Sequence, residues 1–472
     1  MQKSKKLRQK NLSHISSSHV PSHRPFLLFS LAAVVSVSMY IILINNSTSF
    51  HVQASRPYLF GTLETDSTKA AEEHAAGVQI AMQTIAWNSY ERSDGIFDEA
   101  YMAEIKSQIK MDLTAGMKVV ISPAIHYPPH WVMNLPGARY INQYNARAPF
   151  TWAGHFEEPN FIFSQSVRDR VAQFETHVMK QLASDPAIGL KNIWGVRYVN
   201  GSLGETLYPP ADDQQRHPNS YWAYDTNAQG QGTDRPATIP ANPFPGWKPG
   251  NTLYHDQPFS TAQVQQWYNW YLNAHIDFVN WHTRLYRDKN GINYQGYLLL
   301  QTPGFGARAF EVKASVTSYL DGSQDLNATV ARAAVWHKLF PALTNRTNVV
   351  AYVSSMADGS GIPPDNVCKR GDVLVNYQTD PQVNNWSATR YITGLADKYK
   401  MMKSGENPGR DDPSQEGGAA YGLSMLQSTA SQMQSCGFQS MFWAHDSDLY
   451  DNASGVTLQD YASIITQYNK TR

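Results

Sequence analysis

From residue 57 onward, the pattern of apolar and polar positions alternates between two kinds of segment. Short apolar runs rich in β-branched and aromatic residues predict strands, and the longer stretches between them repeat apolar residues at helical spacing. Strands are predicted at 58–63, 78–86, 118–125, 193–199, 294–301, 349–354, 400–404 and 438–444. Helices are predicted at 99–115, 165–183, 262–288, 328–342, 387–399 and 419–434.

This alternation favours a parallel sheet, because parallel strands need crossover connections and are buried on both faces. Eight such units over roughly 400 residues are the size of a barrel with insertions. We therefore predict the α/β class and a (β/α)8 TIM barrel. The structural alternative is a doubly wound open sheet. It is disfavoured because Gly61-Thr62-Leu63-Glu64, after the first strand, lacks the glycine spacing of a phosphate-binding turn.

The segment 208–260 interrupts the alternation. It is dense in Pro, Gly, Asn, Tyr and Trp and shows no sustained period. Loops of this kind inside a compact domain are commonly functional. Because the segment follows the fourth predicted strand, we expect a long loop insertion after strand 4. It would overhang the C-terminal ends of the strands, where TIM barrels place their active sites.

The N-terminus carries a targeting signal. A basic region, 1–25, precedes an uncharged apolar run, 26–44, that is about long enough to span a bilayer. A polar linker, 45–56, follows, and the catalytic domain is predicted to occupy 57–472. The apolar run is interpreted as a signal anchor or a signal peptide, and a retained transmembrane anchor is preferred. Both interpretations predict an extracellular protein, secreted or held at the cell surface by this segment.

Composition narrows the choice of partners. Lys+Arg and Asp+Glu each total 39, so the formal net charge is zero and nothing predicts nucleic-acid binding. The chain has 12 Trp and 26 Tyr, whose rings can stack on sugars, although a large core also buries aromatic residues. Two cysteines, Cys368 and Cys436, are too few for a disulfide framework. They could form one bridge with each other or remain two free thiols, and the sequence leaves both alternatives open. The oligomeric state is unknown.

Two glutamates follow predicted strands at positions suited to glycoside hydrolysis. That reaction uses one carboxyl group to protonate the leaving oxygen and a second to attack the sugar or to activate water. Glu205 follows the fourth strand in a turn with Gly204, and Glu406 follows the seventh strand next to Gly405. In a barrel both lie at the C-terminal rim. We assign Glu205 as the proton donor and Glu406 as the nucleophile or base, with Asp358 after the sixth strand as the alternative to Glu406.

Several motifs resemble those of barrel glycosidases. Segments 87–98 (WNSYERSDGIFD) and 116–121 (GMKVVI) are similar to the second and third units of retaining enzymes, especially bacterial β-galactosidases, and 127–131 (YPPHW) resembles their proline-proline-tryptophan loop. Gly204-Glu205 with Tyr208-Pro209 resembles the proton-donor motif of β-amylases, and Gly405-Glu406-Asn407 resembles the motif that holds their general base. The resemblance covers 58–450 in outline and implies catalytic roles for Glu205 and Glu406.

Two departures from these families leave mechanism and substrate open. Retaining enzymes usually have Asn immediately before the acid-base Glu, whereas this chain has Gly204 there and Asn200 four positions earlier. β-Amylases carry a cysteine- and glycine-rich loop after strand three, where this chain has His126-Tyr127-Pro128-Pro129. Retention and inversion need carboxyl separations of roughly 5 Å and roughly 6.5–9.5 Å. Both remain possible, and starch is not predicted as the substrate.

Further residues near strand ends are predicted to bind an oligo- or polysaccharide substrate: Trp87, His126, Tyr127, Trp131, Asn200, Trp443 and Asp446. Indole rings can floor a sugar subsite and polar groups can bond its hydroxyls, although buried structural roles are the common alternative. We expect no cofactor and no metal. The cluster of His445, Asp446, Asp448 and Asp451 leaves a metal-dependent hydrolase as a weaker hypothesis.

The sequence therefore predicts a glycosidase that cleaves O-glycosidic bonds of an extracellular glycan. A second hypothesis is a catalytically inactive barrel that binds glycans at the cell surface, since a fold does not guarantee an activity. Binding of a glycan without turnover would distinguish the two.

Overall fold

A computed structural model describes residues 57–151, 156–198, 201–324, 327–357, 364–409, 421–451 and 455–470. Residues Pro57–Arg472 belong to one compact unit. The predicted basic region, apolar segment and linker (1–25, 26–44 and 45–56) lie outside the described residues. The division of the chain into these regions stays a prediction.

Eight parallel strands close into a barrel. They are β1 (Leu59–Thr62), β2 (Ile80–Ala86), β3 (Lys118–Ala124), β4 (Ile193–Tyr198), β5 (Tyr297–Thr302), β6 (Val349–Val353), β7 (Met402–Glu406) and β8 (Ser440–Trp443). Each strand pairs with the next in chain order, and β8 pairs with β1, beginning at Leu59 and Ser440. The predicted (β/α)8 TIM barrel is confirmed.

Each predicted strand overlaps an observed one, and β5 and β7 show clear shifts. They begin at Tyr297 and Met402, later than the predicted 294 and 400. Asn293 and Lys400 have left-handed backbone conformations, with φ of 55° and 57°, which belong to the preceding turns. As a consequence, Glu406 is the last residue of β7 and does not lie in the turn after it.

Alternation along the strands divides the apolar residues between two cores. One cluster fills the barrel interior and includes Ile80, Met82, Val120, Leu299, Val350, Tyr352 and Phe442. A larger cluster lies between the strands and the surrounding helices. Gly61 and Gly195 make room inside the barrel, because a Cβ at either would lie 2.7 Å from the side chain of Phe442 or Leu299.

The helices of the described residues are α1 (Ala70–Ala76), α2 (Trp87–Tyr90), α3 (Glu99–Thr114), α4 (Gln165–Ser184), α5 (Gly189–Asn192), α6 (Thr261–Arg287), α7 (Ala309–Thr317), α8 (Trp336–Ala342), α9 (Ala388–Lys398), α10 (Leu423–Ser435) and α11 (Leu458–Lys470). All six predicted helices overlap one of these. The prediction at 328–342 was too long: a π-helical turn, Asn327–Ala331, is followed by a break before α8.

Residues 201–260, between β4 and α6, contain a 3-10 turn, Ser202–Gly204, further turns and one short hairpin, Leu253–Tyr254 with Gln257–Pro258. The aromatic residues of this segment pack on α6. Tyr208 stacks on Tyr271 with 4.1 Å between ring centroids, and Trp247 meets Trp267 edge-on. Much of the aromatic content of this segment is therefore buried between the segment and the helical layer, where it cannot contact a sugar.

Cys368 and Cys436 form a disulfide with a Cα–Cα distance of 5.1 Å. Cys368 lies between β6 and α9, and Cys436 directly follows α10. The bridge therefore encloses the part of the chain that carries β7 and Glu406. Of the two possibilities left open by the sequence, the structure contains the bridge.

No helix in the described part of the chain is long and apolar enough to cross a membrane. The two longest helices, α4 and α6, are amphipathic and carry charged residues such as Arg168, Arg170 and Arg284. This finding contradicts the transmembrane anchor predicted from the sequence. That prediction, and the membrane as a partner of the chain, are withdrawn. The apolar run 26–44, on which that assignment rested, lies outside the described residues.

Candidate active site

Glu205 lies in a tight turn past the C-terminal end of β4. Gly201 N donates to the Glu205 carbonyl at 2.9 Å, and Glu205 N donates to the Ser202 carbonyl at 3.0 Å. Thr206 N then donates to the carbonyl of Gln301, on β5, at 3.1 Å. These bonds fix the backbone of Glu205 at the rim of the barrel.

Gly204 has a structural reason to precede Glu205. Its φ of 79° is left-handed, which glycine adopts at little cost. A Cβ there would lie 3.3 Å from the ring of His126 and 3.4 Å from Nη2 of Arg197. Glycine thus allows His126 and Arg197 to approach the backbone beside Glu205, at the position where the retaining families usually have Asn.

Glu205 is half-buried as a residue, and its carboxyl group accepts a hydrogen bond from a residue that follows β6. Ser354 Oγ donates to Glu205 Oε1 at 2.6 Å. Ser354 directly follows β6, and its backbone N donates to the carbonyl of Thr302 at 3.1 Å. The donor that orients Glu205 is therefore itself fixed by the strand ends.

Glu406, the last residue of β7, is only 8% exposed. The hydroxyl of Tyr352, inside the barrel on β6, donates to Glu406 Oε2 at 2.5 Å. The carbonyl of Glu406 accepts a bond from Met356 N at 2.9 Å, and its backbone pairs with Phe442 on β8. Neighbours on both sides thus hold this carboxyl group at the barrel mouth.

The two carboxyl groups interact electrostatically. Burial raises the pKa of each of them, and the charge of Glu406 raises that of Glu205 further. Arg197, the Tyr352 hydroxyl and His445 oppose the rise at Glu406. Ser354, Arg332 and Arg197 oppose the rise at Glu205. The pKa of each carboxyl group is therefore above its ordinary value, and charging both groups together is disfavoured.

Arg197, on β4, is a cation that both carboxyl groups share. Its charge lowers the pKa of Glu205 and of Glu406, and its guanidinium carbon lies 5.9 Å from the ring centroid of Tyr352. Its buried Nε has no hydrogen-bond partner among the described residues. Such a charge inside the barrel mouth compensates part of the cost of placing two acids together.

His126 and Tyr127, both predicted to bind substrate, lie at this site. Burial, with a contribution from Arg197, lowers the pKa of His126 to about 3, so its ring is neutral near neutral pH. Its buried Nδ1 has no hydrogen-bond partner in the described part of the chain. Tyr127 lies beside it, with ring centroids 4.1 Å apart, and within electrostatic range of Glu64 and Arg197.

An ion pair joins the ends of β1 and β8. His445 Nδ1 lies 3.3 Å from Glu64 Oε2. The contact raises the pKa of His445 and lowers that of Glu64, and the His445 charge also lowers the pKa of Glu406. The described residues contain no group of three or more His, Cys, Asp or Glu side chains that could hold a metal ion.

The three predicted tryptophans differ in exposure. Trp87 is fully buried, and its Nε1 donates to Glu91 Oε2 at 2.8 Å. Trp443 is fully buried in the outer core, with its ring 5.4 Å from that of Tyr421. Trp131 is half-buried, and its Nε1 donates to the Glu91 carbonyl at 3.2 Å. Of the three, Trp131 alone is partly exposed, and the guanidinium carbon of Arg170 lies 5.8 Å from its ring centroid.

Asp446 is buried and belongs to a different cluster. Its Oδ2 accepts a bond from Asp66 N at 2.8 Å, and its carboxyl group is coupled to that of Glu73. Asn200 and Asp358 lie outside the described residues. The catalytic and substrate-binding roles assigned to all these residues stay predictions.

Several residues that surround the two carboxyl groups were missed in the sequence: Arg197, Gln301, Arg332, Tyr352 and Ser354. A signal was available for two of them. Tyr352 follows Val350 at the inward spacing of β6, and Arg197 follows Gly195 at the inward spacing of β4. A charged residue at an inward position of an otherwise apolar strand indicates a buried partner.

No protein-family model and no curated protein sequence matches the chain. Among solved structures, the β-amylase catalytic domain from Paenibacillus polymyxa is similar with a TM-score of 0.55 at 14% identity, over 87% of this chain and 98% of that one. The β-galactosidases from Marinomonas ef1 and Halorubrum lacusprofundi each have a TM-score of 0.50, at 12% and 13% identity. Those matches cover 87% of this chain but only 59% and 58% of the two enzymes. At such identities the likeness shows the fold alone. The resemblance to barrel glycosidases is therefore confirmed at the level of the fold.

Proposed function

We propose that the protein is a glycoside hydrolase that cleaves O-glycosidic bonds of an oligo- or polysaccharide, with Glu205 as proton donor and Glu406 as nucleophile or base. The observation that carries the proposal is the meeting of these two carboxyl groups at the C-terminal ends of β4 and β7. Cleavage of a glycosidic bond needs such a pair.

The surroundings of each carboxyl group support this division of roles. A proton donor must keep its proton at the working pH, and both burial and the charge of Glu406 raise the pKa of Glu205. The second group must be ionised, and Arg197, Tyr352 and His445 all stabilise the charge of Glu406. Ser354 and two arginines lower the pKa of Glu205, but the charge of Glu406 adds to its rise, so one proton shared between the two carboxyl groups is favoured on Glu205.

Two further observations agree with the proposal. The similar barrels carry the names of β-amylase and β-galactosidase, which act on different glycosides, so they support the reaction class and leave the sugar open. The Cys368–Cys436 bridge is typical of oxidising compartments, which supports an extracellular location.

The test is a screen of the full chain against aryl glycosides and polysaccharides, together with Glu205→Gln and Glu406→Gln. The control is Glu104→Gln, which changes an exposed glutamate on α3. We expect the control to match the wild type and Glu205→Gln to lose roughly 10²- to 10⁴-fold in kcat. Circular dichroism would show that the variants are folded.

Full activity of either site variant removes that residue from the mechanism. Silence of the wild type on every substrate, with a glycan still bound in a calorimetric titration, would instead support the glycan-binding protein.

A further inference from the structure

Two exposed rings that have no role in the mechanism above are stacked on each other in the loops after β3 and β4. The phenol ring of Tyr144 lies on the imidazole of His217, with 4.0 Å between the ring centroids and 10° between the planes. Tyr144 is 44% exposed, and the side chain of His217 is 36% exposed. Because the imidazole covers one face of the phenol ring, much of the exposed area of that ring lies on its opposite face.

A buried aspartate holds the imidazole in place. Asp213 is 1% exposed, and its Oδ2 lies 2.7 Å from Nδ1 of His217. Its Oδ1 accepts the backbone N–H groups of Gln215 and His217 at 2.8 and 3.1 Å. One carboxylate therefore bonds both the ring and the backbone of His217, which fixes the plane on which Tyr144 rests.

The two loops are joined to each other by further hydrogen bonds. Asn142 is fully buried, and its Nδ2 donates to Asp213 Oδ2 at 2.8 Å. Its Oδ1 accepts the backbone N–H of Tyr144 at 3.0 Å. Next to it, Tyr221 N donates to Gln143 Oε1 at 2.8 Å. The backbones of both rings thus belong to one bonded unit, so the stack is ordered before any ligand arrives.

The same turns contain backbone strain. Asn145, Gln214 and Arg216 have left-handed conformations, with φ of 64°, 58° and 79°. These conformations are costly for residues that carry a Cβ, although Asn adopts them more readily than Gln or Arg. All three residues are exposed, so packing of the core does not require the strain. Strain of this kind is concentrated at binding and catalytic sites.

The stack lies in loops that leave the barrel at the end where the two carboxyl groups meet. Tyr144 follows β3 and His217 follows β4, and the C-terminal strand ends also carry Glu205 and Glu406. An exposed aromatic face suits the C–H face of a sugar ring, and nearby amide and guanidinium groups, such as that of Arg216, suit its hydroxyls. A glycan that extends from the cleavage site across this end of the barrel could reach such a surface.

We propose that the Tyr144–His217 stack is a sugar-binding platform outside the catalytic centre, which holds a unit of the glycan chain away from the bond that is cleaved. This inference rests on the proposed function and deepens it, because such a platform implies a substrate of several sugar units. A contact remote from the reacting bond stabilises the bound substrate and the transition state alike. Its loss should therefore raise KM on a long substrate and leave kcat unchanged.

The experiment measures binding and turnover of the full chain. Cellopentaose, mannopentaose, xylopentaose and maltopentaose are titrated calorimetrically into the Glu406→Gln protein, in which the bound chain stays intact. Tyr144→Ala removes the ring and Tyr144→Phe keeps it, and the control is Met111→Ala, which deletes a 38% exposed apolar side chain on α3. For the pentasaccharide that binds, we expect Tyr144→Ala to raise Kd roughly tenfold and the other two changes to alter it by less than about twofold.

Turnover provides the second measurement. In the otherwise wild-type chain, Tyr144→Ala should raise KM for the polysaccharide of the bound sugar at unchanged kcat, and should change kcat/KM for the aryl glycoside of the same sugar much less. Circular dichroism would show that the variants are folded. Equal effects on the long and the short substrate would contradict a platform outside the catalytic centre.

Three other results overturn the platform and leave the proposed function standing: no binding of any of the pentasaccharides, an unchanged Kd in Tyr144→Ala, or a dimer in sedimentation velocity that Tyr144→Ala dissociates, since a second copy of the chain would then cover the rings. The absence of turnover on every glycoside overturns the proposed function instead. A raised Kd in Tyr144→Ala would in that case assign the platform to a glycan-binding protein.

Discussion

The disulfide gives a quantitative test of the structure that is independent of the proposed function. Cys368 and Cys436 are 68 positions apart, and the loop that they close contains α9, β7 and α10. Replacing both by serine leaves the fold its other contacts but frees this loop in the unfolded chain. The double variant should therefore be folded and less stable.

The size of the effect follows from the length of the loop. For a separation of 68, the chain-entropy relation gives a stabilisation of about 4 kcal/mol at 25 °C. A folded unit of roughly 400 residues has an unfolding entropy of about 0.8 kcal/mol per kelvin near its melting temperature. Dividing the first quantity by the second predicts that Tm falls by about 5 °C.

The assay is thermal unfolding followed by circular dichroism, for the wild type and for Cys368→Ser/Cys436→Ser, each with and without a reducing agent. Reduction should lower Tm of the wild type to that of the variant and should leave the variant unchanged. Thiol titration of the denatured, unreduced wild type should find no free thiol. A wild-type Tm that moves by less than about 1 °C on reduction would refute the reasoning, because a bridge of this span must restrict the unfolded chain.

Two further predictions concern titratable groups. Tyr352→Phe removes the hydroxyl that donates to Glu406 at 2.5 Å, so the pKa of Glu406 should rise. The acidic limb of the profile of kcat/KM against pH should then move to higher pH. An unmoved limb would show that this hydrogen bond does not lower the pKa of Glu406. Burial and the neighbouring Asp446 raise the pKa of Glu73 from 4.5 to about 9. The protonated carboxyl group therefore stabilises the fold fully below the unfolded-state pKa of 4.5, and this stabilisation is lost as pH rises through the folded-state pKa of about 9. Between roughly pH 5 and pH 9, Tm should fall more steeply in the wild type than in Glu73→Gln, and parallel curves would contradict this.

The barrel was predictable because its strands must be buried on both faces. Runs such as Val349–Val353 are continuously apolar, and the helical stretches between them repeat at a different period. The helix α11 was predictable in principle, since Tyr461, Ile464 and Ile465 recur at helical spacing and are buried. The start of β7 was not, because the left-handed conformation of Lys400 leaves no mark on hydrophobicity.

Strand alternation could also have excluded one predicted sugar-binding residue. Phe442 faces into the barrel, so Trp443, the next residue, must face outward, where Tyr421 and the helical layer bury it. The sequence located Glu205 and Glu406 by their positions after strands, which a barrel brings to one rim. It could not show that Tyr352 donates to Glu406, because pairings between inward side chains depend on the closed barrel.

The pKa of Glu205 depends on parts of the chain that no periodic pattern connects. Arg332 lies in the loop after β5 and Ser354 directly follows β6, and both approach Glu205 only in the folded barrel. The strands bring the carboxyl groups to the site and carry Arg197 and Tyr352, whereas the loops supply Arg332, Ser354 and His445. Substitutions in these loops, such as Ser354→Ala, should therefore change kcat/KM and its dependence on pH while circular dichroism shows that the barrel remains folded.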